Sequence, residues 1–356
     1  GGSIGNVAVD AGGHPLPTPQ GVDATERLLE LAESADESTL VLAVVTGGTS
    51  ALVAAPAGDL SVGELRRSTR AMLDAGADIE EINAVRKHIS RVKGGQLAAA
   101  AGPATTVTLA VSDVVGDPPS VIGSGPTAPD ATTHADALGV LSRHGVDVPA
   151  VRQHLEAGVD GEHPETPGDE EPAVATVPTH VVAGTRTAID AAATAAEDAG
   201  YDACVLSSRV RGSARGAAPT HVAIAEETAA VGEPVAPPAV LLSGGEATVD
   251  VLGEGEGGPN TEFGVAAALS LAESVDRAGE AVVVGAVDTD GRDGGTDAAG
   301  ALVDAGTATD RAAARDALDR NDSLRYLDDR HAALRTGPTG TNVNDLRVLV
   351  VPERVD

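Results

Sequence analysis

Apolar and polar positions along this chain follow two periods, one strand-like and one helical, that take turns over most of its length. Val7–Val9 reads as a short strand leading into His14-Pro-Leu-Pro17. Residues 23–35 place Leu28, Leu29 and Leu31 at helical spacing. Thr39–Val45 reads as a buried strand, Gly47–Ser50 as a turn, and a helix is expected to begin near Ser50. Ser61, with Glu64 three residues on, forms a capping box that opens the next helix. Glu80–Ala101 reads as helix on both sides of Gly94-Gly95, and the β-branched run Thr105–Val111 as a strand. Residues 156–178 break the pattern with Glu, Asp, Pro and Gly, as a linker or a solvated loop would. The alternation then resumes: a strand near 179–183, a helix over Thr187–Ala199, a strand near 203–207. Ala239–Leu242 and Ala247–Leu252 look like two strands around Gly244-Gly245, followed by strands at Ala281–Val287 and Leu346–Val351. Such alternation predicts parallel sheets with helices on both faces. The expected class is α/β, in two domains at 1–158 and 174–356, each with a mainly parallel sheet flanked by helices.

Composition narrows the picture. Hydrophobic residues make up 42% of the 356, mostly Ala, Val and Leu, so cores of ordinary size are expected from small aliphatic side chains. The aromatic side chains are Tyr201, Phe263 and Tyr326. Net charge is -30, which repels nucleic-acid phosphates and anionic lipid, and there is little to stack on bases. The acid excess and the near absence of lysine together suggest adaptation to molar salt, where self-repulsion is screened. Residues 39–58 carry no charge, but Gly47-Gly48, Pro56 and the polar Thr46, Thr49 and Ser50 interrupt them, so a membrane span is not expected. The single cysteine, Cys204, excludes an intrachain disulfide and fits a reducing cytoplasm. It lies in a strand-like run and is expected in the core. No basic, then apolar, leader opens the sequence.

Candidate chemistry sits at the ends of the predicted strands. Lys87 and Lys93 are the only lysines, and they flank His88 and Ser90 just before a Gly-Gly pair. A compact ammonium can hold a carboxylate or a transferring phosphoryl group as a point charge. Lys93 is the candidate charge stabiliser; a solvated helix face is the plainer alternative. Gly47, Gly48, Thr49 and Ser50 form a βα turn whose N–H groups can approach an anion, although no P-loop lysine follows. Asp113 and Asp117 follow the strand 105–111, where ligands of open sheets bind, and could hold Mg2+ or cap a turn. Ser124, Gly125 and Thr127 offer a second hydroxyl-bearing turn. Asp288, Asp290 and Asp293 follow the strand 281–287, without EF-hand spacing. Thr339, Thr341, Asn342, Asn344 and Asp345 make a polar loop, expected to be scaffolding because such groups are costly to bury unpaired. Gly253-Glu-Gly-Glu-Gly-Gly258 has dinucleotide-fingerprint spacing, but Glu254 and Glu256 would repel a pyrophosphate.

Taken in order, these motifs resemble the glycerate 2-kinase family, whose C-terminal part is the MOFRL domain, here about 238–351. The resemblance rests on Thr46-Gly-Gly-Thr-Ser-Ala-Leu52, Glu81 to Gly95, Ser112-Asp-Val-Val-Gly-Asp-Pro118, Ser124-Gly-Pro-Thr127, Ser243-Gly-Gly-Glu246, Asp288-Thr-Asp-Gly-Arg-Asp-Gly294 and Thr336 to Asp345. It implies ATP-dependent phosphorylation of D-glycerate to 2-phosphoglycerate, with Mg2+, in a cleft between two domains. Lys93 and Asp290 would then be catalytic, and Asp113, Asp117 and Asp288 would hold the metal. Gly47, Gly48, Thr49, Ser50, Lys87, His88, Ser90, Ser124, Gly125, Thr127, Asn260, Glu262, Thr339 and Asn342 would line the glycerate and ATP sites. A homodimer is left open. Two departures stand out. Pro259 occupies a position where the family commonly has Arg, and the family's N-terminal strand–helix with its lysine is expected to lie outside this sequence. A hydroxypyruvate reductase or a non-catalytic binding protein are the alternatives.

Overall fold

The fold is that of a computed structural model that describes residues 2–274, 279 and 281–353. The chain divides into two compact units, one of Gly1–Val111 with Asp117–Val182, the other of Ser112–Gly116 with Ala183–Asp356. The acidic stretch 156–178 lies within the first unit. It contains the end of the helix Pro149–Val159 and the short helix Pro172–Ala175.

The first unit carries a three-stranded sheet in the order Leu40–Val45, Thr105–Val111, Thr179–Ala183. The first two strands pair in parallel, Leu40 opposite Thr105 and Val45 opposite Ala110. The predicted helix at 23–35 begins earlier, at Pro19. Thr18 accepts the Gly21 N–H as its N-cap, and proline tolerates the first helical position because its missing N–H has no partner there. Ser61 and Glu64 form the capping box read from the sequence; Asp78 with Glu81 and Thr133 with Asp136 form two more. These caps start the helices Val62–Asp74, Ile79–His88 and His134–Arg143. With Pro149–Val159 they bury Leu65, Met72, Ile82, Val85, Leu141 and Leu155 together. Burying one such side chain is worth about 1.5–3 kcal/mol. The helix carrying the lysine run ends at His88, and a second begins at Gln96, so the intervening residues form a turn.

The second unit is built on a six-stranded sheet in the order Ala333–Leu334, Gly300–Val303, Val283–Asp288, Asp345–Val351, Ala239–Thr248, Asp202–Ser213. Asp202–Ser213 and Ala239–Thr248 run parallel; the other neighbouring pairs are antiparallel. The α/β class stands, but the expected mainly parallel second sheet is corrected: one neighbouring pair is parallel and four are antiparallel. The helix Pro259–Ala272 covers one face and is buried on nearly all sides by alanine, valine and Phe263. Cys204 packs at the margin of this core. The helix Thr185–Asp198 covers the other face, where Ile189 meets Val240 and Leu242.

The reading of Gly244-Gly245 is corrected as well. The two strands read around Gly244-Gly245 are a single strand that runs through both glycines. Gly245 has φ of 137°, and a Cβ there would collide with the Val210 backbone of the neighbouring strand. The glycine pair marks a close backbone approach rather than a turn. No helix among the described residues is long and apolar enough to cross a membrane.

Candidate functional site

In the first unit the lysine run wraps one turn against another. The N–H groups of Gly94, Gly95 and Leu97 donate to the carbonyls of Ser124, Gly125 and Pro126, at 3.0, 2.7 and 3.0 Å. Gln96 closes the turn from inside, its Nε2 donating to the carbonyls of Lys87, Ser90 and Lys93. The Ser90 hydroxyl accepts the N–H groups of Val92 and Lys93. Ser50, Ser124 and Asn83 form a hydrogen-bonded chain, with Ser50 Oγ to Ser124 Oγ at 2.5 Å and Ser124 Oγ to Asn83 Oδ1 at 2.9 Å. Thr127 bonds Thr108 behind it, hydroxyl to hydroxyl, at 2.7 Å. In the adjoining βα turn Gly48 has φ of 81°, Gly47 precedes it, and Thr49 donates to the Thr46 carbonyl. Sequence reading thus collected a real cluster: Gly47, Gly48, Thr49, Ser50, Ser90, Lys93, Ser124, Gly125 and Thr127 belong to adjoining turns.

The two lysines differ. Lys87 is buried in an ion pair with Asp130, 3.0 Å apart. Burial acts to raise the Asp130 pKa, but Lys87 and the Thr132 N–H outweigh it, and the carboxyl sits below its usual range. Lys93 is 4% exposed. Its Nζ donates to the carbonyls of Ser50 and Val53, each at 2.8 Å. Burial, reinforced by the charge of Arg86, brings its pKa down to about 7. Arg86 lies one helical turn beyond Asn83 and has no ion-pair or hydrogen-bond partner among the described residues; burial lowers its pKa too. Sequence reading passed over Arg86, since nothing in its spacing separates it from a surface cation. The usable signal was the absence of an acid at i−4 or i+4, where Ile82 and Ser90 stand. Asp117 adopts φ of 55° and leaves a buried Oδ1 without a hydrogen bond. His88 belongs to a separate cluster described below.

In the second unit the loop after Val283–Asp288 is tied to the Thr336–Asp345 loop. Thr339 donates its hydroxyl to the Thr289 carbonyl at 2.6 Å and its N–H to the Asp290 carbonyl. Asn342 Oδ1 accepts the Asn344 N–H, so Asn342 shapes its own loop. The three acids then diverge. Asp293 is fully buried and caps the helix Pro259–Ala272, with Oδ1 accepting the Asn260 N–H and Oδ2 the Thr261 N–H, at 2.8 and 2.7 Å. Asn260 Nδ2 bridges Asp293 to Asp345, whose other oxygen takes an N–H from the buried Arg347. Glu262 is also buried, held by Arg215 and Asn321. These contacts give Asn260 and Glu262 structural work within the unit. Asp290 Oδ1 accepts only the Arg292 N–H among the described bonds. Asp288 is pushed up to about 7, first by burial and then by the charges of Asp290, Asp345 and Asp293. The Glu246 carboxyl, at the protein surface, is raised by partial loss of hydration and by the charges of Asp113 and Asp345. Carboxylates that raise one another's pKa need protons or a hard cation, and this oxygen-only set suits Mg2+.

Cations stripped of counter-ions and an oxygen-rich acidic loop are the parts a phosphotransferase uses. The chain belongs to the glycerate 2-kinase family. Residues 239–345 match the MOFRL family, and residues 3–156 match a domain of unknown function, DUF4147. A D-glycerate 2-kinase of Thermotoga maritima is 38% identical over 97% of this chain and 80% of its own length. A protein of Agrobacterium vitis provisionally named a hydroxypyruvate reductase is 40% identical over 98% of this chain and 78% of its own. The crystal structure of glycerate kinase from Thermotoga maritima superimposes with a TM-score of 0.88 at 37% identity, covering 99% of this chain and 82% of that one.

Proposed function

We propose that this chain transfers the γ-phosphoryl group of ATP to the 2-hydroxyl of D-glycerate, giving 2-phosphoglycerate. The observation that carries this reading is the Lys93–Arg86 pair, two desolvated cations without a carboxylate in a protein of net charge -30. Positive charge held out of water is worth more to a phosphoryl group than the same charge in solvent. Lys93, its ammonium aimed by the Ser50 and Val53 carbonyls, neutralises charge developing on the transferring group. Asp290 takes the substrate hydroxyl proton. Asp288 and Asp113 would supply oxygens for Mg2+, which when bound would shield the nucleotide phosphates. Ser50, Ser124, Thr127 and the Gly47–Thr49 turn bind polar substrate atoms, with Lys87 and Ser90 holding the turn that presents Lys93.

The oxidoreductase reading meets a physical obstacle at its one sequence signal. Cβ atoms at Gly253, Gly255 and Gly257 would collide with Arg320, Asp322 and Ser323, so these glycines admit a neighbouring segment rather than a pyrophosphate. The first N–H groups of the following helix are already taken by Asp293. The test is 31P NMR of the chain with ATP, Mg2+ and D-glycerate in molar KCl. A new phosphomonoester matching 2-phosphoglycerate is expected. No phosphomonoester, together with NADH or NADPH oxidation by hydroxypyruvate, would overturn the proposal.

A further inference from the structure

Four of the nine histidines gather in the first unit, away from the turns assigned above. His88 and His134 meet edge to face with ring centroids 4.7 Å apart; His154 lies 6.3 Å beyond His134, and His163 stacks on His154 at 4.5 Å. Glu165 reaches in from the acidic stretch. Its Oε2 lies 3.1 Å from His88 Nε2 and 2.9 Å from His134 Nδ1, and accepts the His134 backbone N–H at 2.9 Å.

The hydrogen bonds leave part of this arrangement unsatisfied. His88 Nδ1 is 2.8 Å from the Ala84 carbonyl, which can only accept, so Nδ1 carries the hydrogen. In the neutral ring Nε2 then points a lone pair at a carboxylate oxygen. His134 Nδ1 is buried, the residue being 2% exposed, and makes no hydrogen bond although the same oxygen is close. A neutral His134 with its hydrogen on Nδ1 would face Glu165 Oε2 without making a hydrogen bond in this geometry, and the Thr166 hydroxyl, 3.3 Å from His88 Nε2, is given to Asp130 Oδ2 at 3.0 Å. One divalent ion satisfies all three groups.

We propose that His88 Nε2, His134 Nδ1 and Glu165 Oε2 bind a first-row transition cation of the Zn2+ class. Among the described residues these three form the one group of metal-capable side chains whose ligand atoms lie within 4.8 Å of one another. Two imidazoles and one carboxylate favour such an ion over Mg2+, which prefers an all-oxygen shell. The Nδ1–H of His88 on a backbone carbonyl is the outer bond that fixes a ligating ring. The ion would fasten the acidic stretch to the helices Ile79–His88 and His134–Arg143. Thr166, next to Glu165, bonds Asp130, the partner of Lys87, so the fastening reaches the signature turn.

The test uses the full chain, stripped with a chelator, and titrated with Zn2+ and separately with Co2+. The expected result is one tight equivalent, visible d–d absorption from Co2+, and slower proteolysis within 160–171. Glu165→Gln, whose side chain is 47% exposed, should weaken binding at least about 10-fold, since loss of even an outer-shell partner costs about 10–100-fold, with circular dichroism checking its fold. His134→Asn should do the same, with circular dichroism checking its fold. Equal affinity for the wild type and Glu165→Gln would mean the ion sits on surface acids and would overturn the site. So would ring 15N shifts of His88 and His134 that do not change when Zn2+ is added.

Discussion

The two units treat their clustered charges in opposite ways. In the first, the sequence supplies few cations, and the fold pairs Lys87 with Asp130 but leaves Lys93 and Arg86 with no acid partner among the described residues. In the second, acids are abundant, and the fold engages several of those in its motifs. Asp293 becomes a helix cap, Asp345 holds Asn260 and Arg347, and Glu262 holds Arg215. What remains available is Asp290, with Asp288 and Glu246 raised by their neighbours. A charge in a motif is therefore a chemical candidate only after its local bonds are subtracted. The charges that survive subtraction are those whose burial is uncompensated, and these are where function is expected.

The sharpest break in this comparison is Lys93→Ala. Removing an electrostatic stabiliser from a desolvated site should cut kcat at least about 100-fold. Arg70→Ala, on the exposed face of its helix, should stay within about twofold of wild type. Steady-state kinetics at saturating ATP checks both, and equal rates would remove Lys93 from the mechanism. Next in size is the contrast between Asp293 and Asp290. Asp293→Ala should destabilise the chain by about 3 kcal/mol, because it deletes a cap and strands buried donors. Asp290→Ala should leave the melting temperature nearly unchanged while lowering kcat. Thermal denaturation with kinetics separates the two, and a large Tm loss in Asp290→Ala would erase the distinction.

A third contrast is the dependence of stability on pH. The carboxyl of Asp288 is raised, so the native state binds the extra proton between about pH 4 and 7, and its contribution is lost as pH rises through about 7. Lys93 is lowered, so the unfolded state binds the extra proton between about 7 and 10.5, and stability recovers as pH rises through that range. Together they place a trough near pH 7 in a plot of Tm against pH. Asp288→Asn should flatten its acid side and Lys93→Met its alkaline side. A trough that both variants leave untouched would reassign it to other groups.

Local signals were legible where local physics sets the outcome. The capping box at Ser61 and the strand at Thr105–Val111 each depend on a few neighbouring residues, whereas the helix expected to run up to Gly94-Gly95 already ends at His88. The cluster of Ser50, Lys93 and Ser124 was legible as separate turns at strand and helix ends. Gly244-Gly245 misled because a glycine pair marks either a turn or a close approach, and only the neighbouring strand at Val210 distinguishes them. The acidic stretch 156–178 has no apolar period, so nothing in its own pattern showed that Glu165 reaches two buried histidines.

By itself, the sequence determined the α/β class, the capped helices, the scarcity of lysine and the family, because these follow from residue type and short-range spacing. Tertiary structure alone decided strand direction in the second sheet, which lysine keeps an acid beside it, and which aspartate becomes a cap. Each of those depends on groups that are distant in the chain and meet only in the folded state: Asp130 lies 43 residues from Lys87, and Asp293 lies 32 from Thr261. Burial and Coulomb energy are set by those meetings, and no window of sequence contains them.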